Sequence, residues 1–511
     1  MQHPDLKQKL YEHFGYRQFR EGQQEIIEEV MKGVDVLGIL PTGTGKSICF
    51  QLPALLSSGT TIVVSPLISL MVDQVKQLKA TGFKSVISLN SFMDQRERRT
   101  MMGNLQQYSL IYLSPEMLQN EWVQQQLKKQ KVDLFVIDEA HCISQWGHEF
   151  RTDYLKLKET IELLNHPTVL ALSATATPEV QADIKQQLDR PDMTAHIYPM
   201  DKVNMSFAVE EYDHPDDKLQ RIIELLANRK APTMIYFSSR QSAERISQEL
   251  KGKLDQRVAF YHGGMEQMDR LLVQQQFMND QVDVICCTSA FGMGVDKPNI
   301  RRVIHYHFPS QLESFIQEVG RAGRDGKPCA SLMLYTPADH YLPQLFIQSE
   351  LPELEDVSRV LRSIYSFVGK GEVLLSNDDM AEQLQLSESQ WNFFKYQLEQ
   401  ENLLSPDSVT GTKKMWKQAE ERIRLIVQQR WTYKKQKLQE MLNWLHHPGC
   451  KRKMLYASFQ KLCRTPDVPC CSYCGFIISE MLLEIDTRRP VYSGWKERLE
   501  KIFHQGAASC D

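Results

Sequence analysis

No apolar stretch in this 511-residue chain approaches the roughly 18 residues that a membrane-spanning helix needs. No span and no membrane partner are therefore expected. The opening MQHPDLKQKL has no apolar core behind basic residues, so it does not read as a signal peptide. The expected location is cytoplasmic, nucleoid-associated if the source is bacterial. A surplus of positive charge is missing too. The net charge is −4, so any binding of nucleic acid has to be local. No internal repeat or low-complexity tract is present. Hydrophobic content of 42% and charged content of 24% are ordinary for globular protein, and the length suggests about three to five domains.

What is present begins with a pattern. From about residue 24 to 335, short apolar runs alternate with amphipathic stretches. VLGIL (36–40), TIVVS (61–65), LIYLS (110–114), LFVID (134–138) and TVLALSA (168–174) each end in a polar or Gly/Pro-rich turn. A second set follows in TMIYFSS (233–239), RVAFYH (257–262), VDVICCT (282–288) and RRVIHYHFP (301–309). Runs of this kind are strands buried in a parallel sheet with helices between them. The break between the two α/β lobes is expected near 195–215. Ligands of open parallel sheets sit at the carboxyl ends of the strands, and the motifs fall there.

PTGTGKS (41–47) follows the first run. Gly43 and Gly45 permit a tight loop whose backbone N–H groups face phosphate oxygens, with Thr42 and Thr44 in the same cradle. Lys46 would reach the β and γ phosphates, and Ser47 would ligate Mg²⁺. The strict pattern has Gly at position 40, where Leu40 stands. DEAH (138–141) follows the strand LFVI. Asp138 is placed to hold Mg²⁺, usually through water, and Glu139 to orient the attacking water. In QEVGRAGRDG (317–326), Arg321 and Arg324 are three apart and can share a helical face. They would meet the triphosphate and neutralise charge that grows in the transition state. A triphosphate bound by one lobe and completed by the other couples hydrolysis to lobe movement. That arrangement suits a motor working on a polymer.

After about 345 the strand signals fade. SNDDMAEQLQL (376–386) and SESQWNFFKYQLEQENLL (387–404) read as two helices joined by a tight turn, with capping-box pairs Ser376–Asp379 and Ser387–Gln390. Met380, Ala381, Leu384, Leu386, Trp391, Phe394 and Leu398 suit a helix-turn-helix core, and the polar stretch 405–417 a wing or a linker. From Lys413 to Arg464, fourteen basic residues oppose three acidic ones, a local excess of about +11. A solvated face is the ordinary reading of a charge run. So lopsided an excess in an acidic chain favours phosphate contact. Six of the 11 cysteines are scattered, as reduced thiols are in a reducing compartment. Cys450, Cys463, Cys470, Cys471 and Cys474 cluster.

With these motifs in place, residues 6–335 resemble superfamily-2 helicases and, within them, the RecQ family of DNA helicases. The resemblance implies two RecA-like α/β lobes and a mainly helical C-terminal region. LYEHFGYRQFREGQ (10–23) is similar to the family's adenine-reading motif, which implies that Tyr16 stacks on the base while Arg20 and Gln23 hydrogen-bond it. CISQWGHEFRTDY (142–154) resembles the aromatic-rich loop, with Trp146, Phe150 and Arg151 as sensors of single-stranded DNA. SPLISLMVDQ (65–74), SPE (114–116), SAT (173–175), FSSR (237–240) and TSAFGMGVDKPNIR (288–301) resemble further helicase motifs. Asp296 stands for the more usual Asn, and the family's FDRPN element appears as MDKVN (200–204).

CKRKM (450–454) and CRTPDVPCCSYC (463–474) resemble the family's zinc motif, implying Zn²⁺ on Cys450, Cys463, Cys471 and Cys474. Cys470 is left out as the immediate neighbour of Cys471, although the register could swap. The family's winged-helix domain follows its zinc site. Here about 37 residues follow Cys474, too few for it, and the winged-helix candidate precedes the zinc site.

The expected division is 1–205 first lobe, 206–345 second lobe, 346–417 winged-helix-like insertion, 418–480 basic helices and zinc-binding subdomain, and 481–511 C-terminal helical tail. The expected activity is ATP- and Mg²⁺-dependent helicase action with 3′→5′ movement on single-stranded DNA, unwinding forked or tailed duplexes in repair or recombination. Single-strand-binding or repair proteins are the candidate protein partners. The alternatives are a DNA translocase without strand separation, an RNA helicase, or a DNA-binding scaffold that binds ATP without useful hydrolysis.

Overall fold

Buried parallel strands account for both lobes. The computed structural model describes residues 5–90, 93–144, 151–292, 295–368, 377–405, 408–461 and 463–481. In the first lobe, β1 (Val36–Ile39), β2 (Thr60–Val64), β3 (Val86–Leu89), β4 (Leu110–Leu113), β5 (Val132–Ile137), β6 (Thr168–Ser173) and β7 (Thr194–Ile197) form one sheet in the order β3-β4-β2-β5-β6-β1-β7. Every pairing in it is parallel. The second lobe holds β8 (Met205–Glu211), β9 (Thr233–Tyr236), β10 (Val258–Tyr261), β11 (Val284–Cys287), β12 (Arg302–His305) and β13 (Cys329–Tyr335) in the order β10-β11-β9-β12-β13-β8, again parallel throughout.

Strands β3, β7, β8 and β13 add to those expected from the apolar runs. β8 falls inside the stretch read as a break. Its first four residues are buried and pair with β13, so the junction between the sheets narrows to residues 198–204. One apolar core continues from the first sheet through Met200, Met205 and Phe207 into the second, and on to Trp444, Leu455 and Tyr456.

Beyond the lobes, helices Leu354–Tyr365, Asn377–Gln383 and Glu388–Gln400 are followed by an antiparallel hairpin, β14 (Leu404–Ser405) with β15 (Ser408–Val409). This is the winged-helix order. Val357, Leu361, Met380, Leu384, Trp391, Phe394, Leu398, Trp416 and Ile423 share its core, and Leu386 packs against it. The Ser387–Gln390 capping box is complete, whereas Ser376 lies outside the described residues.

A single helix then runs from Lys413 to His446, 34 residues long. The boundary drawn at 417 falls inside it, because the insertion and the zinc-binding region share this helix. The third helix of the insertion faces the first lobe, where Glu399 Oε2 lies 3.2 Å from Lys156 Nζ. Tyr396 on the same helix is pushed up to about 12 by burial, reinforced by Glu159 and Glu399. Among the described residues, no helix is long and apolar enough to cross a membrane.

Part of the basic stretch is neutralised by ion pairs within the fold. Lys434 pairs with Glu350 at 2.9 Å, Arg424 with Glu420 at 3.4 Å, Arg464 with Glu21 at 2.6 Å, and Arg422 with Glu401. Lys451 donates to the carbonyls of Trp444, Leu445 and His447. Counting charges within the stretch misses Glu350, Glu21 and Glu401, which come from other elements. Lys437 is the clearest case. Its Nζ lies 2.8 Å from Glu313 Oε1, with side chains 5% and 6% exposed. Burial pulls its pKa down, yet Glu313 and Glu440 hold it above the ordinary lysine value. Glu313→Ala leaves this ammonium buried with its main partner gone, and should destabilise the protein by about 3 kcal/mol. Urea denaturation would measure it, and a shift below about 1 kcal/mol would mean the pair does not hold the long helix to the second lobe.

Candidate functional site

The phosphate loop leaves the carboxyl end of β1. Leu40 prolongs that strand, donating its N–H to Ser173 O at 3.1 Å with its side chain fully buried. Glycine is not needed at position 40 because the turn starts one residue later, at Pro41. Gly43 and Gly45 take φ of 84° and 75°, a region that costs other residues strain. Ser47 sits at the N-terminus of helix Ile48–Leu56, and its side chain is not used as a cap. Lys46 Nζ lies 3.4 Å from Glu139 Oε1.

Asp138 follows β5 and is held by its N–H to Val64 O at 2.9 Å. Burial, then the charge of Glu139, pushes Asp138 up to about 6, while Lys46 and His141 pull it back. A divalent cation would relieve that cost directly, so the donor set fits Mg²⁺ at Ser47 and Asp138. Glu139 takes a left-handed conformation at φ 49°. His141 lies between the DEAH and SAT segments, 3.0 Å from Ser173 Oγ and 3.5 Å from Glu139 Oε2.

The second lobe closes the site. Helix Leu312–Val319 ends at Gly320, and Arg321 and Arg324 turn into the same cleft of about 360 Å³ as Tyr16, the phosphate loop, Asp138 and Glu139. Thr42 Oγ1 donates to Gly320 O at 3.0 Å across the lobes. A Cβ added at Gly320 would sit 2.0 Å from that hydroxyl oxygen, so only glycine permits this approach. Arg321 donates to Gly292 O. Arg324 pairs at 2.6 Å with Asp296, the residue that departs from the family's Asn.

Tyr16, Arg20 and Gln23 also reach the cleft, but the polar ends of the last two are engaged. Gln23 Nε2 donates to the carbonyls of Thr44 at 2.7 Å and Gly45 at 3.0 Å, and Arg20 donates to Gly43 O. In this arrangement they brace the phosphate loop. Trp146 and Phe150 lie outside the described residues. Arg151 donates to Pro66 O at 3.1 Å and lies 3.9 Å from Glu116, which joins three first-lobe motifs.

Two features went unread in the sequence. Gln317 lines the cleft, and its place at the head of QEVGRAGRDG, four residues before Arg321, could have revealed it. At the junction, Lys202 Nζ donates to Gly320 O at 2.6 Å and Ala322 O at 2.8 Å, and Asn204 Nδ2 to Gly323 O at 2.9 Å. No local pattern announces these.

The thiol set needs one correction. Cys450, Cys470, Cys471 and Cys474 bring their sulfurs within 4.8 Å of one another. Cys463 does not join them, and its thiol faces Arg452 O at 3.9 Å. Cys470 was left out as a neighbour of Cys471. Adjacent Cβ atoms do diverge in extended chain, but each Sγ turns about its own χ1. Both reach Cys450 Sγ, at 3.6 and 3.8 Å, and Cys471 lies 3.6 Å from Cys474. Tetrahedral Zn²⁺ with bonds of about 2.3 Å sets sulfurs about 3.8 Å apart, so the four thiols fit that ion. Phe207 N–H donates to Cys470 O at 3.2 Å, pinning the cysteine strand to edge strand β8.

Residues 20–184 match the model of the DEAD/DEAH box helicase family, and residues 217–326 that of the helicase conserved C-terminal domain. The chain is 41% identical over 502 residues to a probable ATP-dependent DNA helicase RecS of Bacillus subtilis, covering 98% of each chain. It is 40% identical to the ATP-dependent DNA helicase RecQ of Haemophilus influenzae, over 69% of this chain and 57% of that one. Among solved structures, Mycobacterium smegmatis helicase Lhr bound to single-stranded DNA and AMP-PNP aligns with a TM-score of 0.57 at 19% identity, over 81% of this chain and 61% of that one. That likeness concerns the fold.

Proposed function

This chain belongs to the RecQ family of DEAD/DEAH-box helicases and is an ATP-dependent DNA helicase, and from that premise we propose that it moves 3′→5′ along single-stranded DNA and separates tailed or forked duplexes in repair or recombination. The observation that carries this reading is the contact of Thr42 with Gly320. It sets the phosphate loop of one lobe against the arginine segment of the other, so a bound triphosphate would touch both.

The roles follow from chemistry. The phosphate loop from Thr42 to Ser47 cradles the triphosphate, and Lys46 leaves Glu139 for the β and γ phosphates. Ser47 and Asp138 hold Mg²⁺, which supplies charge neutralisation at the phosphates. Glu139, so released, orients the attacking water, and His141 carries its state to Ser173 and the SAT segment. Arg321 and Arg324 neutralise the growing charge, Arg324 after leaving Asp296. Tyr16 offers a ring face to adenine. Cys450, Cys470, Cys471 and Cys474 would hold a structural Zn²⁺, which would fasten the segment after the long helix to β8. Trp146, Phe150 and Arg151 report a bound strand to the hydrolysis site.

The test is ATP hydrolysis with and without single-stranded DNA, beside unwinding of duplexes carrying a 3′ or a 5′ tail. Stimulated turnover with unwinding from the 3′ tail alone is expected. Stimulated turnover without unwinding would leave a translocase, and preferential stimulation by RNA would move the substrate class. Trp146→Ala should lower the DNA-stimulated rate by about tenfold, since base stacking is worth about 1–3 kcal/mol, with the basal rate nearly kept. Equal losses in both rates would sink the sensor assignment.

A further inference from the structure

Lys202 stands where the family's FDRPN element has arginine, in the strap between β7 and β8. Its ammonium donates to two carbonyls, Gly320 O at 2.6 Å and Ala322 O at 2.8 Å. These are the C-terminal carbonyls of helix Leu312–Val319 and its first following turn, which flank Arg321. A helix C-terminus lacks donors for its last carbonyls and carries partial negative charge. Among the described residues Lys202 has no ion pair. Burial pulls it down to about 7, and the charges of Arg324 and Arg321 act in the same direction, against Cys329 and Asp325.

A half-buried ammonium near two guanidinium groups is a poor way to stabilise a fold. An apolar side chain of similar length would fill the same space without desolvating a charge. The arrangement makes sense if the carbonyls need holding. Gly320 O is gripped from both sides, by Lys202 and by Thr42 Oγ1 at 3.0 Å. The strap is itself fixed, since Arg452 donates to Lys202 O at 2.8 Å and Asp201 accepts from Gln460 at 2.8 Å. The chain turns from this anchored carbonyl directly into Arg321, whose tip meets Gly292 O.

We propose that Lys202 is a positioning residue for ATP hydrolysis, seating the backbone from Gly320 to Ala322 so that Arg321 and Arg324 face the phosphate loop. The inference rests on the reading of those arginines as the groups that neutralise charge on the triphosphate. It ties the lobe junction to the second-lobe half of the site. Closing of the lobes over ATP then finds the arginines already placed.

The experiment compares DNA-stimulated ATP hydrolysis by the full chain with that of Lys202→Met, Lys202→Arg and Arg321→Ala, with ATP affinity measured separately by a fluorescent ATP analogue. Lys202→Met is expected to lower kcat about tenfold or more and to change KM for ATP less than threefold. Its thermal midpoint should not fall, because an uncompensated charge has been removed. Lys202→Arg, which restores a donor at the family's own residue, should stay within threefold of the parent kcat. If Lys202→Met does not fold, Lys202→Gln is read in the same way. A folded Lys202→Met or Lys202→Gln with the parent kcat overturns the inference, as do equal losses in Lys202→Met and Lys202→Arg. Parent turnover in Arg321→Ala overturns the arginine reading beneath it, whatever the Lys202 variants do.

Discussion

Lys46→Ala is expected to reduce DNA-stimulated ATP turnover at least about a hundredfold while the chain still binds single-stranded DNA. Removing one preorganised group that meets developing charge in a dry site typically costs about 10²–10³ in kcat. Lys46 is also the only lysine lining the cleft among the described residues, and Arg321 and Arg324 approach from the other lobe. Its Nζ lies 3.4 Å from Glu139. The variant therefore also leaves Glu139 without its cationic neighbour, beside an Asp138 already pushed up to about 6. Steady-state hydrolysis over a Mg²⁺ titration, with strand binding read by fluorescence anisotropy, checks both halves. Turnover within threefold of the parent would remove Lys46 from the phosphate site.

The second large effect concerns the thiols. Cys471→Ser should release the zinc and loosen the C-terminal region, and Cys470→Ser should do the same. Cys463→Ser should retain one ion per chain. Structural zinc sites in small peptides contribute about 10–16 kcal/mol, which is most of the stability of such a module. Here the loss would be smaller. Arg452 donates to Lys202 O and Met205 O, Ser206 Oγ to Pro469 O at 2.6 Å, and Tyr456 remains packed on Phe207. The first unfolding transition should drop while the lobes persist as a later one. Metal analysis and calorimetry of the three variants decide the ligand set. Zinc lost from Cys463→Ser and kept by Cys470→Ser would reverse the correction made on geometry.

Local patterns carried much of the fold and site, and their failures have physical causes. VLGIL, TIVVS and LFVID announced central strands because parallel strands are buried on both faces. TAHI, which is β7, alternates half-buried with exposed residues at the sheet edge and offers no such run. β8 was hidden because it ends in two glutamates, half-buried Glu210 and exposed Glu211, which cut its apolar run short. The phosphate loop and the DEAH and QEVGRAGRDG segments were legible because their chemistry depends on contiguous residues. Cys470 was not, since its inclusion depends on pairing with Phe207, more than 250 positions earlier in the chain. The partial neutralisation of the basic stretch was hidden for the same reason, since Glu313, Glu350 and Glu21 are remote in sequence. Lys202 was visible only as a departure from FDRPN, and its partners required the second lobe to be in place.

The helix Lys413–His446 is a rigid member about 50 Å long at 1.5 Å per residue. One end is bolted beside the four-thiol cluster on the second lobe. The other carries the hairpin and the three-helix core that leans on the first lobe through Glu399 and Lys156. A tilt of about 5° at the bolted end sweeps the far end through about 4 Å. That is enough to open the 3.2 Å ion pair. A change in the Glu399–Lys156 separation would therefore magnify a small tilt of the long helix.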